Sequence, residues 1–251
     1  MRLRDGIGKT SPAGPVNASR SVFVFLVLFA LAACLQLAGG AYRAEIGEWP
    51  DESAHYVTGL MVRDYLAARA PSPPMEFAKQ YYLHYPRVAW GHWPPVFYVI
   101  EAVWMLLFSP STVAVMLLMA VFAALLAFMT SRLVAGEFGR PAGIAAGAVL
   151  ACLPAVQHLS GAVMLDIPVA LFSLWAVMRL AEYLDSGELR DSAAFGVAAS
   201  LAILTHGAAV FLAVAPPAAV LIQRRPRSML RPAFWLPAVI VAAAAGPWYL
   251  H

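Results

Sequence analysis

The chain has 251 residues, of which 61% are hydrophobic and only 12% charged, with a net charge of +3. A soluble domain is about 45–50% apolar and about 25% charged, so a soluble globule is excluded and the chain is expected to fold as an all-α, polytopic transmembrane helix bundle. Its basic residues are spread over short connections, which marks membrane topology and leaves no continuous patch for nucleic acid.

Residues 1–20 are polar, rich in Gly, Pro and Ser, and carry Arg2, Arg4, Lys9 and Arg20, the composition of a flexible cytoplasmic tail. The apolar run from Ser21 to Gly40 is longer than the roughly 7–15 residues of a signal-peptide core, and further apolar runs follow it. It therefore reads as an uncleaved first helix, although Leu31-Ala32-Ala33-Cys34 has the look of a lipoprotein cleavage site. Cys34 and Cys152 both lie in apolar runs, where they build no disulfide framework or four-ligand metal site and are expected to pack inertly in helices.

A polar loop, 41–93, comes next and is far longer than an ordinary connection. Apolar segments follow at 94–108, 111–131, 141–159, 163–184, 192–205, 207–222 and 232–250. Arg224-Arg225-Pro226-Arg227 with Arg231, and the stretch from Arg132 to Arg140, mark the inner side. Between an outer Trp93 and an inner Arg132 the chain must cross an odd number of times, and 94–108 is short for a crossing at about 1.5 Å per residue. Either 94–108 lies partly in the interface, or it forms one path with 111–131, broken at Ser109-Pro110. With that single crossing, the turns around Asp51, Asp166 and His206 share the outer face. Gly246-Pro247-Trp248-Tyr249 reads as an aromatic belt closing an outer helix end, and the chain is taken as the N-terminal part of a longer protein.

Four constellations carry potential chemistry. Trp49-Pro50-Asp51-Glu52-Ser53-Ala54-His55-Tyr56 sets two carboxylates before a helical pattern. Asp51 is either an ordinary N-cap or a partly desolvated general base for an acceptor hydroxyl. In the second, the aromatic stretch Tyr81-Tyr82-Leu83-His84-Tyr85-Pro86 precedes Gly91-His92-Trp93-Pro94-Pro95. These residues anchor the chain at the interface, or His92 with Lys79 or Arg87 binds a lipid-linked phosphate. Asp166, before Ile167-Pro168, is a helix cap or a functional acid. Leu204-Thr205-His206-Gly207 splits a long apolar run, with His206 exposed or facing a phosphate. Glu101 is left without a role.

Asp51-Glu52, His92-Trp93-Pro94-Pro95, Leu165-Asp166 and Leu204-Thr205-His206-Gly207, in that order and closed by Pro247-Trp248-Tyr249, resemble the motifs of the membrane-embedded C-type glycosyltransferases. The similarity is to the branch of dolichyl-phosphate-mannose protein mannosyltransferases and bacterial aminoarabinose transferases. Two departures stand out: Trp93 intervenes between His92 and the prolines, and His206 stands where the family has Lys, which makes phosphate binding there depend on pH.

The resemblance implies a glycosyltransferase-like module over 21–251, in a bacterial inner membrane with the N-terminus cytoplasmic. It implies transfer of a hexosyl or pentosyl sugar from a polyprenyl-phosphate donor to a lipid or protein hydroxyl at the outer face, with inversion. Asp51 is then the acceptor base and Glu52 and Asp166 its catalytic companions. His55, Tyr56, Lys79, Tyr82, Arg87, His92 and His206 are the substrate-binding candidates. A divalent metal between Asp51 and Asp166 is permitted by their oxygen ligands and not demanded. The rival reading is a polytopic transporter or lipid flippase in which Asp166 and Glu101 relay protons or hold a solute.

Overall fold

Long apolar runs coil into helices because, in lipid, only the chain itself can satisfy its peptide groups. The computed structural model describes residues 18–47, 49–224 and 226–250. The tail expected over 1–20 lies outside them up to residue 17, and residues 18–20 already belong to the first helix.

The helices are α1 (Ala18–Ala38), α2 (Pro50–Ala67), α3 (Pro74–His84), α4 (Val96–Leu107), α5 (Thr112–Phe138), α6 (Arg140–Cys152), α7 (Pro154–Ser160), α8 (Asp166–Ser186), α9 (Leu189–Ile203), α10 (Ala215–Ile222) and α11 (Pro232–Tyr249). Short 3₁₀ turns cover Gly207–Ala213 and Pro226–Leu230. The described residues form no strand beyond one bridge between Trp90 and Trp93, so the fold is all-α.

Helices α1, α5, α8 and α11 are each long and apolar enough to cross a bilayer, and α6 and α7 are so only when taken together, with a bend of 61° between them. The bend sits where Leu153 is held extended ahead of Pro154, which has no N–H to continue the helix. The single segment expected over 141–159 is thus two pieces. Segment 207–222 likewise splits into a 3₁₀ turn and α10, whose start is set by Pro216 and Pro217. The long loop 41–93 holds two helices of its own, α2 and α3.

Helix α4 has 12 residues, about 18 Å of rise against a hydrocarbon core of about 30 Å, so it is too short to cross. It is also separate from α5, which restarts behind Ser111, whose side chain accepts from the Ala114 N–H at 3.3 Å. Helix α5 is the most buried of the spans, whereas α1 and α11 keep broad apolar faces uncovered. Cys34 in α1 and Cys152 at the end of α6 are both exposed and unpaired thiols within helices. Helix α6 approaches α5 closely through Gly143 and Gly147: a Cβ there would lie 2.4 Å from the Ser131 carbonyl oxygen and 2.7 Å from that of Ala127. Small residues four apart allow this backbone contact.

Remote contacts sort the helix ends into two groups. At one end the buried Gln36 amide donates to the carbonyls of Met116 (3.2 Å) and Ser160 (2.6 Å) and accepts from the Tyr42 hydroxyl (2.7 Å), joining α1, α5 and α7. The Val96 N–H donates to the Leu204 carbonyl at 2.9 Å, and the Tyr249 hydroxyl to that of Ile203 at 3.1 Å. At the other end Arg132 reaches the Ser21 hydroxyl, the Ser192 hydroxyl donates to the Ala233 carbonyl, and the Arg231 guanidinium lies against Gly187. Arg20, Arg132, Arg140, Arg224, Arg227 and Arg231 all belong to this second, basic end.

Candidate functional site

The first end gathers the four constellations. In α2, Trp49 is the N-cap, with extended backbone and no side-chain cap bond, so Pro50 takes the first helical position and Asp51 and Glu52 fall in the first turn. Asp51 is therefore not the cap. Its carboxylate is exposed, makes no side-chain hydrogen bond among the described residues, and sits where a helix N-terminus favours negative charge.

Glu52 is only 4% exposed. One carboxylate oxygen accepts from the Gly47 N–H at 2.9 Å and the other from the Val163 N–H at 3.2 Å. It thereby ties the first loop to the turn that leads into α8. That turn carries Asp166, exposed as the first residue of α8 behind Leu165, which occupies the cap position without a side-chain bond.

One turn beyond Asp51, His55 is buried, with Nδ1 2.8 Å from the Tyr98 hydroxyl of α4 and its ring 4.4 Å from that of Trp93. Burial lowers its pKa to about 4, with Asp51 pulling the other way and His206 and His92 pushing the same way. His55 is accordingly a neutral imidazole, and Asp51, His92 and His206 all lie within electrostatic reach of it. His92 is exposed, its ring 4.3 Å from Trp93. His206 is half-buried, and its Nδ1 accepts the Ala208 N–H at 3.1 Å as the cap of the 3₁₀ turn. Nε2–H is left as its outward donor.

The structure thus brings Asp51, His55, His92 and His206 together and links Asp166 to them through Glu52. Aromatic residues near Asp51 and His92 in the chain pair with remote rings: Trp49 stands edge-on to His158 at 4.7 Å and Trp90 to Trp248 at 6.0 Å. Other candidates fall elsewhere. The Tyr56 hydroxyl donates to the Pro110 carbonyl at 2.5 Å, toward the α4–α5 break. Lys79 and Tyr82 are exposed on α3, and Arg87 just beyond it, and none of the three has a hydrogen bond or ion pair among the described residues. Helix α3 faces α2 instead with Phe77, against Tyr65, and with Tyr81, whose hydroxyl donates to Asp64 at 2.8 Å. No three His, Cys, Asp or Glu side chains converge as a metal site among the described residues. Tyr98 is the site residue that sequence reasoning missed. Its signal was a lone hydroxyl-bearing ring early in an apolar helix.

Residues 92–251, more than half of the chain, match the family model described as dolichyl-phosphate-mannose-protein mannosyltransferase. The match begins at His92 and takes in Asp166 and His206, while the Asp51-Glu52 loop precedes it. No curated protein and no solved structure matches the chain.

Proposed function

The chain belongs to the dolichyl-phosphate-mannose-protein mannosyltransferase family, membrane glycosyltransferases that draw on lipid-linked sugars, and from that premise we propose that it moves a sugar from a polyprenyl-phosphate carrier to a hydroxyl acceptor at the outer face of the membrane, with inversion. The observation that carries this is the convergence of Asp51, His92 and His206 around His55 at the end of the bundle away from the arginines. Basic connections stay on the cytoplasmic side, so the opposite end faces out.

In this reading the Asp51 carboxylate takes the proton of the acceptor hydroxyl as its oxygen bonds to the anomeric carbon. The bond from that carbon to the carrier phosphate breaks on the far side, and the electron pair leaves with the phosphate. His92 and the Nε2–H of His206 donate to the leaving phosphate as its charge grows. Neutral His55, fixed by Tyr98, offers a hydrogen bond without a charge. Glu52 holds the turn of Asp166 against Asp51. Lys79, Tyr82 and Arg87 fit contact with acceptor or lipid headgroups on the outer surface. Asp166 at the mouth of α8 and Glu101 sealed between α2 and α4 support a surface site over a transport path.

Membranes holding the protein are expected to consume at least one member of a panel of labelled hexosyl and pentosyl polyprenyl phosphates. A panel left wholly unconsumed sinks the transferase reading. For topology, single cysteines in a cysteine-free background are expected to label from outside at Ala208 and only from inside at Gln223. The reverse pattern overturns the placement of the site.

A further inference from the structure

Glu101 is the one charged residue in α4. It is wholly buried, and neither carboxyl oxygen has a hydrogen-bond partner among the described residues. What faces it is a gap in α2: a Cβ on Gly59 would lie 2.0 Å from the Glu101 Oε2 and 2.4 Å from its Cδ. Only glycine leaves room for that carboxyl group.

The polar groups nearby are engaged elsewhere. On α2 the Tyr56 hydroxyl is bonded to the Pro110 carbonyl, and Arg63 is paired with Asp64 at 2.5 Å. On α4 the Tyr98 hydroxyl is bonded to His55. Helix α5, which also packs on α4, carries no charged residue before Arg132. A buried carboxyl with neither donor nor cation stays protonated, and burial raises the pKa of Glu101 well above the usual carboxylate range. An orphaned polar group of this kind is costly and calls for a reason.

The reason lies in what α4 connects. Its first N–H holds the Leu204 carbonyl, two residues before His206, and its Tyr98 holds His55, one turn from Asp51. The seat of α2 on α4 therefore sets the distance between Asp51 and His206.

We propose that Glu101 is a positioning residue for the reaction: its carboxyl group fills the notch left by Gly59 and so fixes how α2 sits on α4 and where it carries Asp51. The role in transfer rests on the transferase reading, but the seat itself does not. An ionised carboxylate in the notch would draw in water or a cation and lift α2. For an acid whose folded pKa is raised, the neutral form is held at growing cost as pH climbs above the unfolded value, so stability falls from there upward. Glutamine has the same shape and cannot ionise.

The test uses the full chain in detergent and membranes, with Glu101→Gln, Gly59→Ala and the pair Gly59→Ala/Glu101→Ala. Glu101→Gln is expected to keep transfer within about threefold at pH 7, to flatten the fall of melting temperature between pH 6 and pH 9, and to move the alkaline limb of the transfer profile upward. Gly59→Ala is expected to lower transfer at least about tenfold and to lower the melting temperature. Adding Glu101→Ala is expected to recover most of both, as coupled neighbours do. The proposal is overturned if Glu101→Gln loses transfer at an unchanged melting temperature, or if its melting profile follows the wild type, or if the double variant is no better than Gly59→Ala. Should the wild type consume no donor, the transferase reading fails alone, and the melting profiles and the Gly59 rescue still decide the seat.

Discussion

Asp51→Asn is expected to lower sugar transfer by on the order of 100- to 10,000-fold, the range that a positioned general base supplies. The amide has the shape of the carboxylate but cannot take up the acceptor proton. The fold should tolerate the change, because Asp51 is exposed and no side-chain hydrogen bond among the described residues depends on it. Losing a negative charge in the first turn of α2 costs about 0.3–1 kcal/mol. Turnover of a consumed donor and the melting temperature, measured on the same preparation, separate chemistry from folding. Full turnover in the variant removes Asp51 from the role of base.

Glu52→Gln is expected to lower both stability and transfer, the latter at least about tenfold. The carboxylate accepts from the backbone N–H groups of Gly47 and Val163 with a different oxygen for each. Glutamine keeps one acceptor oxygen and turns the other into a donor facing a donor. A buried N–H left unpaired costs about 1–3 kcal/mol. With that bond the tie between the Asp51 loop and the Asp166 turn is lost, so the melting temperature and transfer should fall together. A variant with normal melting and reduced transfer would give Glu52 a chemical part instead of a positioning one.

The two expectations differ because of what surrounds two neighbouring carboxylates, and that difference was only half legible in the sequence. Asp51 and Glu52 read alike there as acids ahead of a helix. The cap position that would have made Asp51 ordinary belongs to Trp49, and the two backbone donors that engage Glu52 come from a loop and from a turn 111 residues away. His92 and His206 could be named from their motifs. Their meeting around His55 needed α4 to bring the Leu204 turn against the start of α2. Lys79, Tyr82 and Arg87 were attractive as cations and rings near the motif, yet helix α3 turns Phe77, Ala78 and Tyr81 inward and leaves Lys79 and Tyr82 exposed, as is Arg87 just beyond its end.

By itself the sequence determined the helical membrane fold, the basic end of the bundle and the family, because apolar run length, arginine placement and short motifs act locally or through the bilayer. Helix breaks at Pro154 and Pro216 are local too, and were blurred only because both neighbours of each break are apolar. Tertiary structure alone decided that Tyr98 fixes His55 and that Glu52 bridges two loops. It alone showed that the Glu101 carboxyl group lies against Gly59 with no hydrogen-bond partner among the described residues. The pairings of His55 with Tyr98, Glu52 with Val163 and Glu101 with Gly59 join residues 42 or more positions apart, and no local pattern encodes a partner at that distance.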